Sequence, residues 1–509
     1  MSDNVSKSSK VLVEDADQAR GEIGKGSVWM ITMRWMVRLI GVVSTIILAR
    51  LLTPEDFGIV AIAMLIVNFV EVFANTGLHV AIIRHKEDTR DLYDSAWTVS
   101  IIFGAGLTAI ILALSPLTIA FFDEPRSFLV IIALAFRPLI IGFENVGLIA
   151  FRKELNFRQD FRFGVIRKLS FFVPTIAAAF ILQNHWALVI GALLGGVATV
   201  GASYWAHPFR PRIGFSHARE LLVFSAHLLS QSLTKFITGR LDEFIVGGFA
   251  GTAKMGLYHV AADVGTAPTE ELVRPISRSL HPVYAKLKDD GGALRTTYLS
   301  TLSMVATLAF SAGTGVAFVA RELVDTLLGD RWHAASGIVV WISLTAVAVS
   351  IIDSAPHLMN PIGKERQATW LGWIYALMLA PVVISAGMYG SIEDIAAARF
   401  AISVAMVPIS LTFIGWELGI GPAGFANALW RPALGAMVMV AVLSWLDGWL
   451  EVPVALDLLI SVLLGGATFV LVVTIAWLSV GRPVAFETTA IELAKTISSR
   501  LTQRWRKPN

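Results

Sequence analysis

The 509-residue chain has no cysteine, which excludes disulfides, thiolate metal sites and cysteine nucleophiles. Charge is scarce as well: 16% of residues are Asp, Glu, Lys or Arg, against roughly 25% in soluble domains. There is no GxxxxGK[ST] loop to cradle a nucleotide, no HExxH zinc pair and no GxSxG elbow. No long polar stretch between apolar runs could house such chemistry, and nothing points to a cofactor or metal. Work done by this chain draws instead on an ion gradient, the membrane potential or downhill use of a product. Residues 1–26 are polar and lack an apolar core, so they are not a cleavable signal peptide and read as a disordered cytosolic tail.

What is present is apolar sequence, 55% of the chain. Runs of about 20 residues, enough to cross ~30 Å of hydrocarbon as a helix, recur throughout. Breaking them at charge clusters and Gly/Pro turns gives fourteen expected spans: 27–52, 56–81, 95–118, 127–150, 164–183, 186–206, 219–248, 255–285, 296–320, 335–359, 366–389, 392–416, 427–447 and 454–479. The expected fold class is an all-α polytopic membrane protein. Alternate connections are rich in Lys and Arg, as in RHKEDTR (84–90), FRKELNFRQDFR (151–162) and KLKDDGGALR (286–295). Basic loops stay in the cytosol, so both termini are expected there. The net charge of +3 therefore reports orientation rather than a nucleic-acid partner. The tail 481–509 places Ala490, Ala494, Ile497, Leu501 and Trp505 at helical spacing among Arg and Lys; it reads either as a helix on the anionic inner leaflet or as a solvated basic tail.

A shift of 198 residues sets ARLLTPEDFGIVAIA (49–63) on GGFAGTAKMGLYHVA (247–261), each closing the first hairpin of a six-helix block. The expectation is two parallel six-helix lobes, 27–206 and 219–416, around a central cavity, joined by a cytosolic linker 207–218, with two extra C-terminal helices over 427–479.

Several spans carry polar stripes where lipid is expected. On the first, Arg34, Arg38, Gly41 and Thr45 follow i, i+4, i+7, i+11. At 1.5 Å per residue the two arginines lie roughly 10 and 16 Å below the inner surface, and an arginine at a helix centre costs at least ~2.5 kcal/mol on insertion scales. The stripe therefore faces a wet, cationic cavity or a buried ion pair. Asn68, Glu71 and Asn75 form a second stripe, Gln231, Lys235, Thr238 and Asp242 a third, and Glu271, Arg274, Arg278 and His281 a fourth. Structural alternatives pair Glu71 with Arg34 or Arg38, and Asp242 with Arg240 or Lys235. On the fourth span, Arg137, Glu144 and Asn145 are expected to satisfy one another. Arginine-rich stripes favour phosphate, which a guanidinium binds in a forked geometry.

The stretch ARLLTPEDFGIVAIAMLIVNFVEVFANTGLHVAIIR (49–84), with LLGDRWHAASGIV (327–339) and NPIGKERQ (360–367), resembles the polysaccharide transporter (Wzx-type oligosaccharide flippase) family of the multidrug/oligosaccharidyl-lipid/polysaccharide exporter superfamily. The resemblance implies a multi-pass protein of the bacterial inner membrane. Its implied cargo is an undecaprenyl-pyrophosphate-linked oligosaccharide, flipped by alternating access for exopolysaccharide, capsule or lipopolysaccharide assembly. Membrane lipids and the polymerase and export components of the same pathway are the implied partners. It also implies, by position, that Arg34, Arg38, Arg274 and Arg278 hold the pyrophosphate; Lys235 is added from this sequence's own pattern. Glu71, Glu144 or Asp242 would compete with phosphate for these cations and couple transport to an ion, while Asn68, Asn75 and Glu271 add cavity polarity. A multidrug exporter of the same superfamily and a membrane-embedded polymerase or ligase are the rival readings.

Overall fold

The computed structural model describes residues 36–73, 89–153, 156–221, 226–447, 449 and 452–480. Every regular element among them is helical. The principal helices are α1 (36–51), α2 (Pro54–Val72), α3 (Arg90–Phe122), α4 (Pro125–Leu134), α5 (Arg137–Gly142), α6 (Phe157–Leu182), α7 (Trp186–Ala206), α8 (Ala226–Ala250), α9 (Thr252–Leu287), α10 (Gly291–Phe318), α11 (Ser336–Ile352), α12 (Ser354–Met359), α13 (Glu365–Tyr389), α14 (Ile392–Leu418), α15 (Pro422–Asp447) and α16 (Val454–Ser479). Ten stretches of helix among the described residues are long and apolar enough to cross a membrane. The expected spans that fall short of that test are covered by α1, α2, α8 and α9. Those four carry the polar stripes, and in α2, α8 and α9 charge inside the helix is what separates them from the rest.

The chain divides into two compact units, Met1–Leu229 and Ser230–Asn509. In the first, Ile59, Ala63, Val67 and Val70 of α2 meet Leu107 and Ile111 of α3, Val130, Ile131 and Leu134 of α4, and Val189 of α7. Leu48 and Leu52, at the end of α1, pack on Ala178 and Ala179 of α6. α6 and α7 approach closely enough that a Cβ on Gly191 would lie 1.9 Å from Thr175 Oγ1, so only glycine fits. In the second unit Val273 of α9, Val305 and Ala309 of α10 and Val347 of α11 form one core. α15 and α16 pack on each other through Met439, Leu443, Phe469 and Val473, with Phe310 and Phe318 of α10 against them.

The turn in TPED is a helix start. Thr53 Oγ1 accepts the Asp56 amide at 3.3 Å, Asp56 Oδ2 accepts the Thr53 amide at 3.0 Å, and Pro54 opens the helix where its missing N–H costs nothing. Asp56 Oδ1 also accepts the His185 amide at 2.9 Å, tying this turn to the one before α7. Ser391 and Asp394 repeat the reciprocal cap at α14. Under the 198-residue shift Thr53 falls on Gly251, whose φ of 86° turns α8 into α9 by a left-handed residue instead. The same bend is made by different chemistry, which accounts for the few identities.

One expectation is corrected. The fourth span, expected to run to 150, leaves helix at Gly142. Asn145 terminates it: its Oδ1 accepts the Gly147 amide at 2.9 Å and its Nδ2 donates to the carbonyls of His207 (3.3 Å) and Phe209 (2.8 Å). The segment following α7 is correspondingly strapped to α3, with the Arg212 amide on Asp94 Oδ1 at 2.8 Å and the Gly214 amide on Thr98 Oγ1 at 3.0 Å. The tenth expected span, 335–359, lies within one apolar stretch, Asp330–Met359, with a local turn at Asp353 between α11 and α12. The tails 1–26 and 481–509 lie outside the described residues.

Candidate functional site

The first unit carries Arg38 on α1, half-buried, one turn from Gly41. A Cβ on Gly41 would sit 3.6 Å from Lys168 Nζ, so Lys168 of α6 lies over this face of α1. Asn68 is half-buried on α2. Arg34 and Asn75 lie outside the described residues.

The acids of this unit take partners from other helices. Glu71 Oε1 accepts Arg137 Nη1 at 2.7 Å, with the two side chains 32% and 27% exposed. Glu144 pairs with Arg167 of α6, whose guanidinium also lies 5.0 Å from the centroid of the Phe163 ring. The expected pairing within the fourth span is therefore overturned: Arg137 and Glu144 are seven residues apart, about 10.5 Å of helical rise, and the helix ends between them. Among the described residues Glu71 is bound by Arg137 and not by Arg38, and the expected alternative, Arg34, lies outside them. Within the expected spans, the described residues of this unit place five cations (Arg38, Arg50, Arg137, Arg167, Lys168) against three carboxylates (Asp56, Glu71, Glu144), an excess of two positive charges.

The second unit is different. Asp242 on α8 is 1% exposed; Tyr258 of α9 donates its hydroxyl to Oδ2 at 2.6 Å, and Arg399 of α14 forms an ion pair with the same oxygen. Arg399 Nη2 donates to the Thr238 carbonyl at 3.2 Å. Asp242 Oδ1 and Arg399 Nε are buried without a hydrogen-bond partner among the described residues. The expected pairing of Asp242 with Arg240 or Lys235 is corrected as well: Arg240 pairs with Glu243, which also lies 3.1 Å from His259 Nδ1. Glu243, Tyr258, His259 and Arg399 were not singled out by any single-helix stripe.

Lys235 is exposed and Glu271 half-buried. Arg274 is 60% exposed and pairs with Glu270 on its own helix at 2.5 Å. Such an i, i+4 pair contributes about 0.2–0.5 kcal/mol and exchanges readily for a phosphate, whereas stripping one partner from a buried pair like Asp242–Arg399 costs about 3–5 kcal/mol. Lys235 and Arg274 are thus on accessible faces, Arg38 is half-buried, and Arg399 is locked. The backbone of Arg278 belongs to α9, and its side chain lies outside the described residues.

Seen from known proteins, residues 47–337 match the family described as "Polysaccharide biosynthesis protein". The chain is 22% identical to the lipopolysaccharide biosynthesis protein WzxC of Escherichia coli (strain K12), over 86% of this chain and 87% of that one. It is 23% identical to the succinoglycan biosynthesis transport protein ExoT of Rhizobium meliloti (strain 1021), over 79% and 81% respectively. Among solved structures, the lipid II flippase MurJ in an inward closed conformation superposes with a TM-score of 0.70 at 13% identity, covering 89% of this chain and 99% of that one. At that identity the likeness establishes a shared all-helical transporter fold.

Proposed function

Because the chain belongs to the polysaccharide biosynthesis protein family, we propose that it is a flippase for undecaprenyl-pyrophosphate-linked oligosaccharide, working by alternating access in the bacterial inner membrane with both termini cytosolic. The observation that carries this reading is the excess of two positive charges within the expected spans of the first unit, with Arg38 half-buried among them. A diphosphate diester carries two negative charges at neutral pH, and moving them bare through ~30 Å of hydrocarbon is prohibitive. Cations at membrane depth replace the lost water, while the isoprenoid tail stays in lipid. Arg34, Arg38, Lys235, Arg274 and Arg278 hold the diphosphate in this account. Asn68, Asn75 and Glu271 supply polarity for the headgroup.

Glu71 and Glu144, each held by an arginine at a partly exposed position, compete with the cargo for cations and so bias the exchange between states when protonated. Asp242, shielded and locked to Arg399, takes part in that competition only if its pair opens. The chain acts as a transporter and not as an enzyme. Its neighbours in the pathway are glycosyltransferases that build the repeat unit and a polymerase that consumes it. The multidrug-exporter reading is disfavoured by the same positive excess, since cationic drugs call for acidic cavities.

The experiment is the sidedness of lipid-linked oligosaccharide in cells carrying Arg38→Ala, at equal protein level to wild type. Accumulation on the cytosolic leaflet with loss of polymer supports the flippase. Accumulation on the periplasmic leaflet transfers the role to a polymerase or ligase.

A further inference from the structure

We propose that Lys168 is a second diphosphate contact, acting with Arg38 on one level of the first unit. The inference rests on the flippase reading above and names a residue that no stripe predicted. α1 and α6 run the same way and are pinned together where Leu48 and Leu52 meet Ala178 and Ala179. Counted back from that contact, Arg38 is 10 residues from Leu48 and Lys168 is 10 residues from Ala178. At 1.5 Å per residue each is about 15 Å, so the two cations occupy similar depths.

They also share a face. Gly41 lies three residues from Arg38, about 60° around the helix, and it is against Gly41 that Lys168 is laid, Nζ and Cε standing 3.6 and 3.8 Å from where a Cβ would be. A glycine at 41 leaves that ammonium beside the backbone of α1 with nothing between. The neighbouring cation, Arg167, is turned about 100° away on α6 and is engaged by Glu144 and the Phe163 ring. Consecutive basic residues therefore divide the work, one neutralising an acid and the other carrying charge to the Arg38 face. Lys168 need not be free of protein contacts for this role, since an ammonium has three donors to share. The forked guanidinium gives direction and the lysine a mobile point charge, a pairing suited to an anion that must be released again.

The test uses the full-length protein in nanodiscs of phosphatidylcholine, titrated with inorganic pyrophosphate. Wild type should bind; Arg38→Ala and Lys168→Met should each weaken binding at least about tenfold, and Lys168→Arg should stay within about threefold of wild type. Gly41→Leu, which alters no charge but fills the space beside Nζ, should weaken binding as Lys168→Met does, and it decides the matter if Lys168→Met fails to fold. Binding unchanged in Lys168→Met, or in a folded Gly41→Leu, with Arg38→Ala weakened overturns the role of Lys168 and leaves the flippase reading standing. No pyrophosphate binding by wild type, or none lost in Arg38→Ala, overturns the flippase site itself. A Lys168→Met effect confined to discs containing phosphatidylglycerol assigns the lysine to a lipid headgroup and also overturns the proposal.

Discussion

Removing either partner of the Asp242–Arg399 pair is expected to be among the most damaging single changes in the second unit. Asp242 is 1% and Arg399 14% exposed, so Asp242→Leu strands a guanidinium, and Arg399→Met strands a carboxylate, in surroundings that cannot solvate it. Each should cost about 3–5 kcal/mol. The double variant Asp242→Leu with Arg399→Met removes both charges and leaves only the Tyr258 hydroxyl without its partner, about 1–3 kcal/mol for a buried group left unpaired, while the Thr238 carbonyl stays within helix α8. The double variant should therefore be no less stable than the worse single one, with a coupling of at least about 2 kcal/mol. Thermal unfolding in detergent of wild type, both singles and the double closes the cycle. Additive losses would refute the reasoning, because they would mean that the two charges are solvated independently.

Other outcomes follow from the same geometry. Glu71→Gln, at a pair about one-third exposed, should cost under about 1 kcal/mol of stability yet change the ion-gradient dependence of transport, measured in vesicles with and without an imposed gradient. Thr53→Ala removes one half of the cap on α2 and should cost about 1 kcal/mol in thermal unfolding. Gly191→Val, facing Thr175 at 1.9 Å from its Cβ position, should abolish folded protein, read as loss of the monodisperse peak in size-exclusion chromatography. Glu322 on the short helix Ala320–Leu327, in a connection outside the expected spans, has its carboxyl pushed up by burial, with the charges of Asp457 and Asp447 adding to it. A carboxyl raised in the folded state favours folding while protonated, so this contribution is present in acid and is lost as pH rises through the folded value. Glu322→Gln should therefore stabilise the protein at neutral pH and change little in acid, as seen by melting temperature against pH.

Helix positions were legible in the sequence because run length alone sets what can cross the bilayer, and α13, α14 and α16 begin and end within two residues of expectation. The end of the fourth span was not legible, because Asn145 bonds to carbonyls 62 and 64 residues away. Stripes on single helices picked out Arg38, Glu71, Glu144 and Asp242 as residues needing something other than lipid. They could not name the partners: Glu71 and Arg137 are 66 residues apart and Asp242 and Arg399 are 157 apart. Helical periodicity reports what shares a face, and only packing reports what that face meets. Lys168 escaped notice for a related reason, lying just past the basic loop 151–162, where a cation reads as an orientation signal.

The most direct measurement is translocation itself: purified full-length protein in liposomes bearing undecaprenyl-pyrophosphate-oligosaccharide on one leaflet, with the fraction reaching the other leaflet followed by accessibility to a membrane-impermeant sugar-modifying enzyme. The account predicts transfer well above protein-free liposomes and reduced to near that background by Arg38→Ala. Transfer equal to protein-free liposomes in the wild type, with the protein folded and inserted, would contradict it.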